Sequence, residues 1–170
     1  SGNLSLIKDK YGYKVTLTYK NGDLLSIKDS QAKQLFFEWY DTSPSFVKSI
    51  KSTGDKKAKY KYDKKGYGLI EASDVSGNTY SYSYDANYNL EKISYADETS
   101  TDISYTAKKK FTKEVKDRDN RVTRYKYGSD KSNPDMHYWT TVSKKGFDNK
   151  WRDNKYEYEI RRKQDGATYT

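Results

Sequence analysis

The stretch Tyr82-Ser83-Tyr84-Asp85-Ala86-Asn87-Tyr88-Asn89-Leu90-Glu91-Lys92-Ile93 carries the pattern on which the whole chain is built. Tyrosines alternate with serine, a polar turn follows, and an aliphatic pair, Leu90 and Ile93, closes the segment. Alternation with period two places Tyr82 and Tyr84 on one face of a β-strand, with the serines on the other. The same signal recurs at Val15-Leu17-Tyr19, Leu35-Phe37-Trp39, Ala58-Tyr60-Tyr62 and, more loosely, before Tyr105 and at Tyr125-Lys126-Tyr127. With the last aromatic residue of each strand as marker, the series is Tyr19, Trp39, Tyr62, Tyr84, Tyr105, Tyr127 and Tyr158, in steps of 20, 23, 22, 21, 22 and 31. A period near twenty-two residues is the mark of a repeat array, in which each unit buries its apolar face against its neighbours.

Turn chemistry fits that reading. Asn21-Gly22 is a hairpin signal, and Lys65-Gly66 and Asn87-Tyr88 stand at the same place in later units. Asp41, Asp63 and Asp85 lie at or just after a marker, where a short carboxylate can accept turn amides. The competing reading, a row of catalytic or metal-binding acids, has no histidine near it. The second strand carries aliphatic residues three apart: Leu24 and Ile27, Val47 and Ile50, Leu69 and Ala72, Leu90 and Ile93, with Phe111 and Val115 four apart. Three-residue spacing cannot hold both side chains on one face of a regular strand. Either a bulge intervenes or the first residue packs at the turn, and both alternatives stay open. The fold class expected is all-β: an antiparallel meander of about seven hairpin repeats forming an elongated, twisted or coiled sheet. Residues 1–127 form about six repeats, and 128–170 form a divergent last repeat and cap. Tyr60, Tyr62, Tyr82 and Tyr84 are expected to form an aromatic ladder on one face.

Composition narrows the functional classes. The chain has 170 residues, with 33% apolar and 34% charged, too little apolar surface for an ordinary core. Its 19 tyrosines argue against disorder, because tyrosine can bury its ring while its hydroxyl stays hydrated. No cysteine is present, which excludes disulfides, thiolate nucleophiles and Cys-based metal sites. No apolar run approaches the length of a membrane span. Net charge is +9, with lysines thickened at Lys56-Lys57, Lys64-Lys65 and Lys108 to Lys110. The charge reads chiefly as solvated faces and guarded sheet edges, with polyanions or glycans as candidate partners. Ser1-Gly2 reads as a cloning remnant, and the chain as a fragment of a longer protein.

The stretches 60–85 and 82–93 closely resemble the YD repeats of Rhs proteins, teneurins and the C components of bacterial insecticidal Tc toxins. The resemblance rests on Tyr-x-Tyr-Asp, a turn often containing glycine, then Leu, two residues and Val or Ile. It covers residues 4–127 and weakens where Thr106 and Gly128 replace the aspartate and Ile103 replaces the first tyrosine. It implies a β-strip that coils into a shell, flanking repeats of the same polypeptide as partners, and in some members an enclosed C-terminal toxin domain. It also implies a secreted or cell-surface bacterial location. The Asp-Pro-x-Gly-Leu segment that ends such shells has no counterpart in Asn133-Pro134-Asp135-Met136, so self-cleavage does not carry over.

Catalytic and metal motifs are weak. His137 is the sole histidine, which excludes a His-based metal centre and makes triad chemistry implausible. Asp117-Arg118-Asp119-Asn120 starts like a calcium loop, but Arg121 and Val122 stand where a ligand and a glycine are needed. Asn3-Leu4-Ser5 is a formal glycosylation acceptor of little weight. The expectation is a non-catalytic structural scaffold without cofactor or metal. The alternative is a carbohydrate- or polyanion-binding surface, with Trp139 and Trp151 as glycan-stacking rings and lysines for acidic groups. Cut strip edges are expected to allow edge-to-edge self-association.

Overall fold

The computed structural model describes residues 2–66, 68–108, 111–162 and 168–169. Fourteen antiparallel strands form one open sheet whose spatial order is the chain order, and no described residue is helical. The strands are β1 (Leu6–Lys8), β2 (Lys14–Lys20), β3 (Asp23–Asp29), β4 (Gln34–Trp39), β5 (Val47–Ser52), β6 (Lys57–Tyr62) and β7 (Leu69–Ser73). They continue with β8 (Thr79–Tyr84), β9 (Leu90–Ser94), β10 (Ser100–Tyr105), β11 (Thr112–Lys116), β12 (Val122–Ser129), β13 (His137–Lys145) and β14 (Trp151–Glu159). A further pair, β15 (Arg161–Arg162) and β16 (Thr168–Tyr169), makes a separate small ladder. All seven markers fall on even-numbered strands, so the period read from the sequence is two strands of sheet.

Two compact units divide the chain, one comprising Ser1–Ser83 with Ser94–Glu98, the other Tyr84–Ile93 with Thr99–Thr170. In the first unit, cross-strand register settles the spacing of three. Leu17 faces Ile27 and Thr18 faces Ser26, yet Tyr19 faces Leu24, so Leu25 is an extra, bulged residue. Phe37 faces Ile50 and Trp39 faces Val47, with Lys48 bulged. Tyr60 faces Ala72 and Tyr62 faces Leu69, with Ile70 bulged. A bulge absorbs the odd residue and returns both aliphatic side chains to the aromatic face.

The second unit repeats the device. Ile103 faces Val115 and Tyr105 faces Thr112, with Lys113 bulged. The aliphatic position is therefore filled by Thr112, not Phe111, and the four-residue spacing at Phe111 and Val115 disappears. The long last step has an equally local cause: β12 and β13 pair without a bulge over seven positions, and residues 130–136 replace a tight turn.

Turns share one build. Asn21 (φ 53°) and Gly22 (φ 93°) form a two-residue hairpin loop with both residues left-handed. Elsewhere the left-handed residue stands three after the turn opens: Gly12 after Asp9, Ala32 after Asp29, Gly66 after Asp63, Gly77 after Asp74, Tyr88 after Asp85 and Asn120 after Asp117. Asp9, Asp29, Asp74, Asp85 and Asp117 each accept, on Oδ1, the amides two and four residues on. One carboxylate thus satisfies two turn donors, the Asx geometry.

Burial follows from a single layer. Among the described residues no apolar side chain is fully buried; the buried residues are Ser26, Ser49, Gly68 and Ser143. On β2 and β8 the aromatic face is half-buried and the Lys, Ser and Thr face is exposed. Ser49 is 1% exposed because longer neighbours lie over it; its hydroxyl donates to Glu38 Oε2 at 2.6 Å, and Lys57 Nζ donates to the same oxygen at 2.8 Å. The aromatic strands are not adjacent, since Ala72 sits in register between Tyr60 and Tyr80. Ring contacts instead lean across: Tyr62 meets Tyr40 edge-on at 6.2 Å and Phe46 at 5.0 Å, and Tyr80 meets Tyr95 at 6.2 Å.

Candidate functional site

The markers act at the place where neighbouring hairpins splay apart. Beyond the bulges at Leu25 and Lys113 the ladder to the next strand stops, at Ser26 and Glu114, which leaves the Leu24 and Thr112 carbonyls off it. At four places in the chain a marker reaches back to the carbonyl fifteen residues earlier. Tyr19 Oη donates to the Leu4 carbonyl at 3.1 Å, Trp39 Nε1 to Leu24 at 2.8 Å, Tyr105 Oη to Leu90 at 2.7 Å and Tyr127 Oη to Thr112 at 2.9 Å. Tryptophan can replace tyrosine here because both place one polar donor at the end of a flat apolar body. Burial raises the Tyr105 and Tyr127 hydroxyls above the usual tyrosine range, which favours the protonated form that donates, and it raises the Tyr62 hydroxyl likewise.

The turn acids are tied to backbone. Asp63 accepts from the Lys65 amide at 3.1 Å, and Asp85 accepts from the Asn87 and Asn89 amides at 2.8 and 2.9 Å. Every described carboxylate displaced from its ordinary range is displaced downward. The Asn78 side chain holds Asp74 low, the Arg121 amide and guanidinium hold Asp117 low, and Lys57 with Ser49 holds Glu38 low. Among the described residues no three His, Asp or Glu side chains gather as a metal site.

The last hairpin holds the two tryptophans apart. Trp139 faces Glu157 and Trp151 faces Lys145, so they share a face but stand six residues apart along β13, about 20 Å. Trp139 lies over the backbone of Gly128, where any Cβ would run into the indole, and Lys155 Nζ sits 4.6 Å from its ring centre. Trp151 carries the Arg124 guanidinium at 4.3 Å. Both rings therefore already hold cations, and they do not form one platform. His137 stands between acids, with Nε2 3.0 Å from Glu157 and Nδ1 3.7 Å from Asp130, which ties the 130–136 connection to β14.

An open groove of about 960 Å³ lies between Thr106, Lys108 and Phe111 and this connection. Its walls are Phe111, Tyr125, Tyr127, Pro134, Tyr138 and Trp139. The sequence pattern marked Tyr125, Tyr127 and Trp139 singly. Their meeting with Pro134 and Phe111 depends on how far β12 and β13 extend, which residue types alone do not specify.

No family profile matches the chain, and no curated protein matches it. A solved structure described as the crystal structure of TcdB2-TccC3-Cdc42 is similar at 13% identity and a TM-score of 0.33, over 89% of this chain. This chain spans 10% of the length of that one.

Proposed function

We propose that this chain is a non-catalytic structural repeat array, part of a YD-type strip in a bacterial secreted or surface protein of the toxin-delivery kind. The observation that carries the reading is the repetition of one construction: bulge, half-buried aromatic face, and a marker donating to the carbonyl fifteen residues back. Residues that recur in this way are occupied by backbone, and the turn acids Asp63 and Asp85 are occupied by turn amides. The downward shifts of Asp74, Asp117 and Glu38 also suit structure, since acid catalysis near neutral pH calls for a carboxyl pushed up.

Partners under this reading are flanking repeats of the same polypeptide, which would cover the strip edges, and in the intact protein an enclosed C-terminal toxin domain. The charge of +9 attracts polyanions without a dedicated site. The test is a salt series on a heparin column beside a neutral-glycan array. Retention that vanishes by about half-molar salt, with no neutral hit, is the expected result. Salt-resistant binding of one neutral sugar, lost in W139A or W151A, would overturn the scaffold reading in favour of a carbohydrate-binding surface.

A further inference from the structure

We infer that the groove between Thr106, Lys108 and Phe111 on one side and Pro134 and Asp135 on the other is a binding site for a small organic anion with a flat, ring-sized apolar body. The site arises where the repeat is broken. β12 pairs with β11 as far as Arg124 opposite Glu114, then runs on to Ser129 with no β11 residue opposite. Where Trp39 and Tyr105 span the splay, their strands end at the bridging residue. Here Tyr127 spans it, with Phe111 against its ring at 4.8 Å, but the strands continue past that bridge. Tyr138 and Trp139 at the start of β13, with Pro134 and Asp135 of the connection, wall off the space that the extra length creates. Its volume of about 960 Å³ is that of a cleft able to take a small ligand, and aromatic walls of this kind take flat rings.

The charge of the ligand follows from the rim. Lys108, Lys113 and Lys126 line the groove, and none makes an ion pair among the described residues. Cations nearby are matched: Arg124 pairs with Glu114 at 2.8 Å and Lys155 with Glu157 at 3.1 Å. Against three unmatched lysines the groove offers one carboxylate, Asp135. Positive charge around an apolar slot selects a carboxylate, sulfonate or phosphate joined to a ring, and discriminates against the neutral analogue.

The test uses the full chain with 8-anilinonaphthalene-1-sulfonate as fluorescent probe, neutral N-phenyl-1-naphthylamine as its uncharged counterpart and D-glucuronate as competitor. Saturable one-to-one binding of the sulfonate is expected, with the neutral probe much weaker. The K113Q/K126Q double variant, altered only at exposed positions, should bind roughly tenfold more weakly with unchanged circular dichroism. Glucuronate, an anion without a flat apolar ring, should fail to displace the sulfonate, and displacement at equal affinity would overturn the inference. Non-saturable binding, equal affinity for the two probes, or unchanged affinity in the double variant would overturn the inference.

Discussion

Replacing Tyr105 by phenylalanine removes one oxygen and leaves the ring, so it isolates the bond that joins one repeat to the last. The hydroxyl donates to the Leu90 carbonyl at 2.7 Å, and both residues are half-buried. A neutral hydrogen bond contributes about 0.5–1.5 kcal/mol net, and an acceptor left unsatisfied and shielded from water adds to the loss. Because Leu90 retains some solvent access, we expect a cost of about 1–2 kcal/mol in total. For a chain of this size that lowers Tm by about 3–6 °C. The control is Tyr125→Phe: Tyr125 lies on the same face, and its hydroxyl makes no hydrogen bond among the described residues, so the loss there should be near zero. Tyr127→Phe should fall between them, because Tyr127 is 40% exposed and water can reach the Thr112 carbonyl. Urea unfolding followed by circular dichroism measures all three. Equal losses at Tyr105 and Tyr125 would refute the claim that the marker hydroxyl holds adjacent hairpins together.

Other expectations follow from the same geometry. Gly128→Ala should cost about 1–3 kcal/mol and shift the tryptophan emission, because the added methyl displaces the Trp139 indole; fluorescence-monitored unfolding reads both. Ala32→Gly should stabilise by up to about 1 kcal/mol, since Ala32 holds φ 65° at a turn where glycine pays no Cβ penalty; its urea midpoint should rise. Asp74, Asp117 and Glu38 have folded pKa values below their unfolded ones, so their contribution is present above the ordinary carboxylate pKa of about 4 and is lost as pH falls through the folded values. The raised hydroxyls of Tyr62, Tyr105 and Tyr127 give the opposite sign: stability is intact below about pH 10 and lost as pH rises through their folded values, with tyrosinate absorbance and unfolding moving together.

What the chain discloses by itself is governed by the range of the interaction. Period-two alternation and the Asn21-Gly22 turn are local, and both strands and hairpin order were legible from them. The bulge was half legible: the three-residue spacing of Leu24 and Ile27 announced an irregularity, but only pairing with β2 shows that Leu25 is the extra residue. Phe111 misled because it is apolar and precedes Val115, whereas register hands the position to Thr112, whose carbonyl rather than side chain is used. The reach of fifteen residues from marker to carbonyl could have been found from the constant offset between Trp39 and Leu24 and between Tyr105 and Leu90. Ala32 and Tyr88 hid their left-handed turns because neither residue favours that conformation. The groove and the clasp of His137 by Glu157, twenty residues away, come from the lengths of β12, β13 and their connection, which no local pattern encodes.

The central claim is that the hairpins β2–β3, β4–β5, β6–β7 and β10–β11 share one bulged register, and cross-strand nuclear Overhauser contacts between backbone protons test it most directly. The structure places Tyr62 opposite Leu69 and Tyr105 opposite Thr112, alongside Tyr60 opposite Ala72 and Ile103 opposite Val115. Contacts in that set, repeated from unit to unit, are the expected result. Contacts from Tyr62 to Ile70 and from Tyr105 to Lys113, the partners an unbroken ladder would give, would contradict it.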